Sequence, residues 1–325
     1  MSLTKMSGIS LSRIKEARER IKKVVNKTPC IYSLPLSRKT GKDVFLKLEN
    51  LQVTQAFKAR GNANKIALLT EEEKRRGVIT ASSGNHGLGL SLAALRNGVK
   101  AVIVLPEVAP ENKIKKIKEN KAEVIIKGKT YDDASEVARS LSSKMGYIYI
   151  PSFDDPDIVA GNGSMGLEIL EDVPRAQIIV CPIGGGGGIS GICLATKQIK
   201  KEIQIIGVES ERAASMLESI KAGEIVELPS ADTFADGIAV RRPGTINFEI
   251  VKKYVDDIVT VSEEEIKSAV AILASEAKVV AEGAGASSVA ALLFKKFSTR
   301  DISTVVCVVT GGNIDMGLFK SILND

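Results

Sequence analysis

From Val44 onward, short runs of β-branched and aliphatic residues alternate with amphipathic stretches of about 10 to 17 residues, the pattern of repeated βαβ units. Predicted strands fall at 44–49, 77–82, 101–106, 122–127, 177–183, 203–210, 257–261 and 304–310. Helices fill the gaps, so the fold class is α/β with a mostly parallel sheet. The low aromatic content (4%, no Trp) and the 28 glycines fit such a fold, which is built on Val, Ile, Leu and Ala with glycine-rich turns at strand ends.

With 325 residues, 44% of them apolar, the chain can bury a large core in about two domains. No linker composition marks a boundary, so a second domain is expected as an insertion in the first. The net charge of +6 is spread over 45 basic and 39 acidic residues, which reads as solubility more than as a nucleic-acid footprint and still favours a small anionic ligand, so no nucleic-acid partner is expected. The densest basic stretch, Lys113 to Lys129, reads as a solvated helix face. Cys30, Cys181, Cys193 and Cys307 lack metal-ligand spacing, and three of them lie in apolar runs, as expected of reduced, buried thiols. Met1 to Lys27 is amphipathic and charge-rich, not a signal peptide, and no apolar run approaches the length of a membrane span. A soluble, cytoplasmic protein is expected, with no membrane partner.

Four predicted strands run into polar or glycine-rich turns: Ser82 to Gly87, Gly184 to Gly188, Glu209-Ser210, and Thr310 to Asn313. Ligands of parallel sheets bind where strand carboxyl ends meet helix amino ends, so these turns are candidates for one shared site. Five consecutive glycines let backbone N–H groups converge on an anion without a Cβ in the way. The run lacks the Gly-Lys-Ser/Thr ending of a nucleoside triphosphate loop, and no strand, GxGxxG turn and acidic residue occur in the order a dinucleotide site needs.

The segment from Leu46 through Leu48-Glu49, Gln52, Thr54 and Phe57-Lys58-Ala59-Arg60-Gly61 resembles the lysine motif of pyridoxal-phosphate enzymes of the tryptophan synthase β fold type, in the threonine dehydratase and serine racemase branch. The resemblance recurs in order: SSGNHG at 82–87, FDDPDIVAGNGS at 153–164, the glycine run at 184–188, GVES at 207–210, ADGIAV at 235–240, EGAGA at 282–286 and TGGN at 310–313. It implies two doubly wound three-layer α/β/α domains, with a small domain at 53–149 inserted in a large one formed by 1–52 and 150–325. It also implies pyridoxal 5′-phosphate held covalently by Lys58, which then serves as the base at Cα. That role requires desolvation and neighbouring cations to lower the lysine pKa. By the same resemblance, Phe57 and Asn85 contact the cofactor, with Asn85 at its phenolic oxygen, Gly184, Gly185, Gly186, Gly187 and Gly188 hold its phosphate, and Thr310 meets its pyridine nitrogen. Ser82, Ser83, Gly84, His86 and Gly237 take the substrate. The implied reaction is β-elimination from L-threonine or L-serine, giving 2-oxobutyrate or pyruvate and ammonia, in a homodimer or homotetramer. His86 is the chain's only histidine and is not expected to be catalytic.

Several positions depart from the family pattern. Gln55, Ala56 and Asn62 stand where the motif has Gly, Ser and Ala, which suggests altered packing or substrate preference near Lys58. Ser83 is shared with serine racemases, where it returns a proton on the face opposite the lysine. Racemisation is therefore the second reading, and a 3-hydroxyaspartate substrate is also conceivable. Glu209 and the Ala213 carbonyl match part of a Mg²⁺ or Ca²⁺ site, but Ser215 replaces its second acid. The chain ends at Asp325, soon after the TGGN turn, as expected of a short catabolic form without a regulatory domain.

Overall fold

The computed structural model describes residues 8–324 apart from 108 and 110, and leaves out the side chains of 112, 113 and 131. The first seven residues of the amphipathic amino-terminal stretch, the Lys113 side chain and Asp325 therefore lie outside the described residues. Each predicted aliphatic run forms a strand. In chain order the strands are β1 (Cys30–Tyr32), β2 (Asp43–Leu48), β3 (Val78–Ala81), β4 (Ala101–Leu105), β5 (Glu123–Ile126), β6 (Ile148–Tyr149), β7 (Ile178–Pro182), β8 (Gln204–Ser210), β9 (Asp257–Val261) and β10 (Thr304–Val309). The strands missing from the sequence reading, β1 and β6, are three and two residues long and too short to show a period.

The strands form two sheets, ordered β1-β2-β10-β7-β8-β9 and β5-β4-β3-β6. All pairings are parallel except β1 with β2. The smaller sheet is built entirely from sequence between β2 and β7, so it is an insertion in the larger unit. The central strands of the large sheet are buried on both faces, which is why they read as continuous apolar runs. Val305, Cys307 and Val309 join Val44, Leu46 and Leu48 in one core, covered by the helices Glu263–Ser275 and Gly283–Leu293. Val306 and Val308 join Ile179 and Cys181 in the other, under the helices Leu11–Ile21, Pro156–Asp172, Gly187–Thr196 and Thr245–Tyr254. Parallel register holds this alternation across strands, with Val305 beside Val44 on one side and Ile178 on the other.

The chain crosses to the small sheet through the helix Lys58–Ala67, which is fixed to the large unit by a buried ionic cluster. Arg60, fully buried, donates to Glu49 through Nε and Nη2 at 2.8 Å each, and to Glu168 through Nη1 and Nη2 at 2.8 Å each. Lys47 Nζ, also fully buried, donates to Glu168 at 2.5 Å and to the Thr28 carbonyl at 2.6 Å. The Arg60 guanidinium holds the Glu49 carboxyl below the usual carboxylate range despite its burial. Gly61 permits close approach of this helix to its neighbour, because a Cβ there would lie 2.8 Å from the Ile158 side chain and 2.9 Å from the Ile158 carbonyl.

Truncating Arg60 would leave Glu49 and Glu168 buried with Lys47 as their remaining cation. Arg60→Ala is expected to lower unfolding stability by about 3–5 kcal/mol. Urea denaturation followed by circular dichroism reads this as a fall in midpoint, and an unchanged midpoint would contradict the anchoring role.

Candidate active site

The turns after β3, β7 and β10 come together around Lys58. A helix amino terminus lies directly after the β3 turn, at Asn85–Arg96, and another after the glycine run, at Gly187–Thr196. The lysine segment is fastened to the TGGN turn: Phe57 N donates to the Thr310 carbonyl at 3.0 Å, Gly312 N to the Gln55 carbonyl at 2.9 Å, and Asn313 Nδ2 to the Thr54 carbonyl at 2.8 Å. Ala56, fully buried, bridges to Gly311 in the same strap. Gln55 holds the left-handed conformation at φ 58°, where the family motif has glycine. That conformation costs a residue with a Cβ about 1–2 kcal/mol.

Lys58 is half-buried, and its Nζ donates to the Ser152 carbonyl at 2.7 Å. The nitrogen lies 5.3 Å from the Phe57 ring centre and 5.9 Å from that of Phe153. Burial without a carboxylate partner pulls its pKa down to about 8. The expectation that neighbouring cations would contribute is not met: desolvation alone is the cause. The same two rings contact the glycine run. A Cβ at Gly185 would penetrate the Phe153 ring, and one at Gly188 would lie 3.2 Å from the Phe57 ring. Gly186 needs its freedom for a different reason, a φ of 91°.

Gly185 to Gly188 carry backbone N–H groups that donate to no acceptor among the described residues. Buried N–H groups are nearly always paired. Four in a row, at the start of a helix whose dipole adds to them, form a site for an anion of phosphate size. The lysine amine and this run together fit pyridoxal 5′-phosphate.

Ser83, Gly84 and Asn85 line a cavity of about 230 Å³ with Lys116, Asp236 and Glu282, and neither Lys58 nor the glycine run is among its lining residues. Asn85 Nδ2 donates to Glu282 Oε1 at 2.7 Å, and its Oδ1 accepts from Asn313 Nδ2 at 2.8 Å. Glu282 Oε2 accepts from Asn313 N at 3.1 Å. Gly237 adjoins the same carboxylate, 3.4 Å from where its Cβ would stand. Glu282, Asn313 and Phe153 stand within the sequence motifs, but a motif does not say which of its residues meet across the chain. Lys116, from the basic stretch read as a solvated face, is exposed yet lines this cavity.

Three of the expected residues stand apart from this cavity. Ser82 and His86 are not among the residues that line it. The Ser82 hydroxyl accepts from Gly84 N at 3.3 Å within the turn. The His86 ring is buried, with Nδ1 3.3 Å from Asn62 Nδ2 and Nε2 3.2 Å from Thr80 Oγ1 and 3.3 Å from the Ile150 carbonyl. Asn62 also donates to the Lys58 carbonyl at 2.8 Å, so this departure from the family pattern ties the lysine helix to the SSGNHG helix. Finally, the Glu209 turn is not part of the shared site. Both Glu209 oxygens cap the helix Ser215–Ala222, accepting from Met216 N at 2.9 Å and Leu217 N at 2.8 Å. Burial pushes this carboxyl up to about 8. Among the described residues no group of three or more His, Cys, Asp or Glu side chains comes together at Glu209, and both of its oxygens are already engaged by the helix.

Burial, with Lys58 adding to it, drives the His86 pKa down to about 3. Its imidazole is therefore neutral across physiological pH. NMR of this sole histidine should show no titration between about pH 5 and 8, and a midpoint near the ordinary value of about 6.5 would contradict its burial.

The profile of the family described as "Pyridoxal-phosphate dependent enzyme" matches residues 21–311. The chain is 47% identical over 316 residues to L-threonine ammonia-lyase of Thermotoga maritima, covering 97% of this chain and 78% of that protein. It is 40% identical to the catabolic L-threonine dehydratase of Escherichia coli K12, covering 99% and 98%. Among solved structures, maize serine racemase superposes with a TM-score of 0.92 at 35% identity over 97% of each chain. A lysine amine beside an unpaired run of N–H groups, in this fold and with these relatives, means that the chain belongs to the pyridoxal-phosphate dependent enzymes.

Proposed function

We propose that the protein eliminates water from L-threonine or L-serine, and that the resulting enamine takes up water to give 2-oxobutyrate or pyruvate and ammonia. The observation that carries this reading is the Lys58 amine, lowered to about 8 by burial and set beside the Gly185–Gly188 N–H groups. Relatives named L-threonine ammonia-lyase and L-threonine dehydratase support the choice of reaction. Pyridoxal 5′-phosphate, when bound, supplies a sink for the electron pair left at Cα when its proton departs.

In this reading Lys58 is the covalent attachment point and afterwards takes the Cα proton. Gly184 to Gly188 hold the phosphate. Asn85 gives one Nδ2 hydrogen to Glu282 and would donate the other to the phenolic oxygen. Phe57 packs beside the lysine, and Thr310 would offer a neutral hydroxyl to the pyridine nitrogen, which would favour prompt loss of the β-hydroxyl. The amino end of the helix Asn85–Arg96, with Ser83, Gly84 and the Gly237 backbone, receives the substrate carboxylate. Residues 53–149 form the small domain, which brings its SSGNHG turn to a site built mainly from the large one.

A second reading, serine racemisation, draws on Ser83, one of the residues lining the cavity. Incubation with L-threonine, L-serine, D-serine and 3-hydroxyaspartate, followed by measurement of 2-oxo acid and enantiomeric composition, separates the two. Release of 2-oxo acid from L-threonine or L-serine is expected, and inversion without ammonia release would overturn the dehydratase reading. Lys58→Ala should reduce turnover by at least about 10²–10⁴-fold. Ser83→Ala should abolish any D-serine formation, and persistent inversion would remove Ser83 from that role.

Only the neutral amine attacks the cofactor aldehyde, so the loading rate of cofactor-free protein should rise with pH through about 8 and level off above it. Stopped-flow absorbance checks this. A rate still climbing toward pH 10 would indicate an ordinary lysine of pKa about 10.4.

A further inference from the structure

The N–H groups of the glycine run can hold a phosphate only if their peptide planes are turned the right way, and glycine by itself leaves those planes free. Asn247 lies in the first turn of the helix Thr245–Tyr254 and is fully buried. Its Nδ2 donates to the Gly185 carbonyl at 2.9 Å and to the Phe153 carbonyl at 3.1 Å. Gly244 N donates to the same Gly185 carbonyl at 3.1 Å. Asn162, in the GNGS motif, makes a parallel link: Nδ2 to the Gly187 carbonyl at 3.3 Å, while Oδ1 accepts from Gly61 N at 3.1 Å on the lysine helix.

In a trans peptide the C=O and the following N–H point in opposite directions. Pinning the Gly185 carbonyl toward Asn247 turns the Gly186 N–H away from it. Pinning the Gly187 carbonyl toward Asn162 does the same for the Gly188 N–H. Asn247 makes no compensating use of its other end: Oδ1 is buried without a hydrogen-bond partner. All of the side chain's hydrogen bonds are therefore made by Nδ2, to the carbonyls of Gly185 and Phe153.

We propose that Asn247 is a positioning residue for the cofactor phosphate, acting through the Gly185–Gly186 peptide and coupling it to the Phe153 segment beside Lys58. This rests on the reading of Gly184 to Gly188 as the phosphate cradle. Because the effect is on the phosphate alone, it should appear in the preference for pyridoxal 5′-phosphate over pyridoxal, which keeps the aldehyde and ring and lacks the phosphate.

The test strips cofactor from the full chain and titrates wild type, Asn247→Leu and Asn247→Asp with each compound by fluorescence, with circular dichroism confirming that each variant folds. Leu removes both donors and the orphan acceptor. Asp keeps the shape and sets a carboxylate against two carbonyls. The expected result is a preference for the phosphorylated compound reduced about tenfold in either folded variant, with pyridoxal affinity little changed. An unchanged preference in a folded variant overturns the role of Asn247. Equal wild-type affinity for the two compounds overturns the cradle itself, and the role of Asn247 falls with it.

Discussion

Arg60 lies two residues beyond Lys58, on the same helix, and is held by two carboxylates from the large unit, Glu49 at the end of β2 and Glu168 on the helix Pro156–Asp172. Charges so deeply buried are tolerated only when each is matched, and Lys47 completes the set by pairing with Glu168. The cluster therefore permits one seating of the lysine helix. Everything at the site inherits that seating. The helix begins at Lys58, so its placement fixes where the amine stands relative to the glycine run and the TGGN turn.

Once the helix is placed, the site is assembled from groups that satisfy one another and from a few that do not. Asn85, Glu282 and Asn313 close a hydrogen-bonded ring between the small and large units. Phe57 and Phe153 remove water from around the Lys58 amine without supplying a counter-charge, which is why its pKa falls. The unpaired N–H groups of Gly185 to Gly188 are the opposite case. They stay desolvated and unmatched, a cost the fold carries where an anion is to be bound.

Much of this was legible in the sequence. The strands of both sheets show as aliphatic runs because burial on two faces demands them, and only the short β1 and β6 left no pattern. Lys58, Asn85 and the glycine run stand within recognisable motifs, and the Arg60-Gly61 pair of the lysine motif proves to be the ion-cluster anchor and the close helix contact. The side chains of Ser82, His86 and Glu209 stand away from the cavity for a shared reason: a residue inside a motif can turn its side chain to other partners. His86 turns into the small unit to meet Thr80 and Ile150, and Glu209 turns back to cap a helix. Asn247 lies in no recognised motif, and its role depends on two carbonyls, those of Phe153 and Gly185, that are distant in sequence.

The sequence alone determined the α/β class and the positions of the lysine motif and the glycine run, because hydrophobic period, glycine content and a fixed local order are one-dimensional properties. Tertiary structure decided which side chains share the cavity, which carbonyls are pinned, and how far burial shifts the Lys58, His86 and Glu209 protons. These depend on desolvation and on hydrogen bonds between residues far apart in the chain. Such quantities exist only after the two sheets and the lysine helix have been brought together.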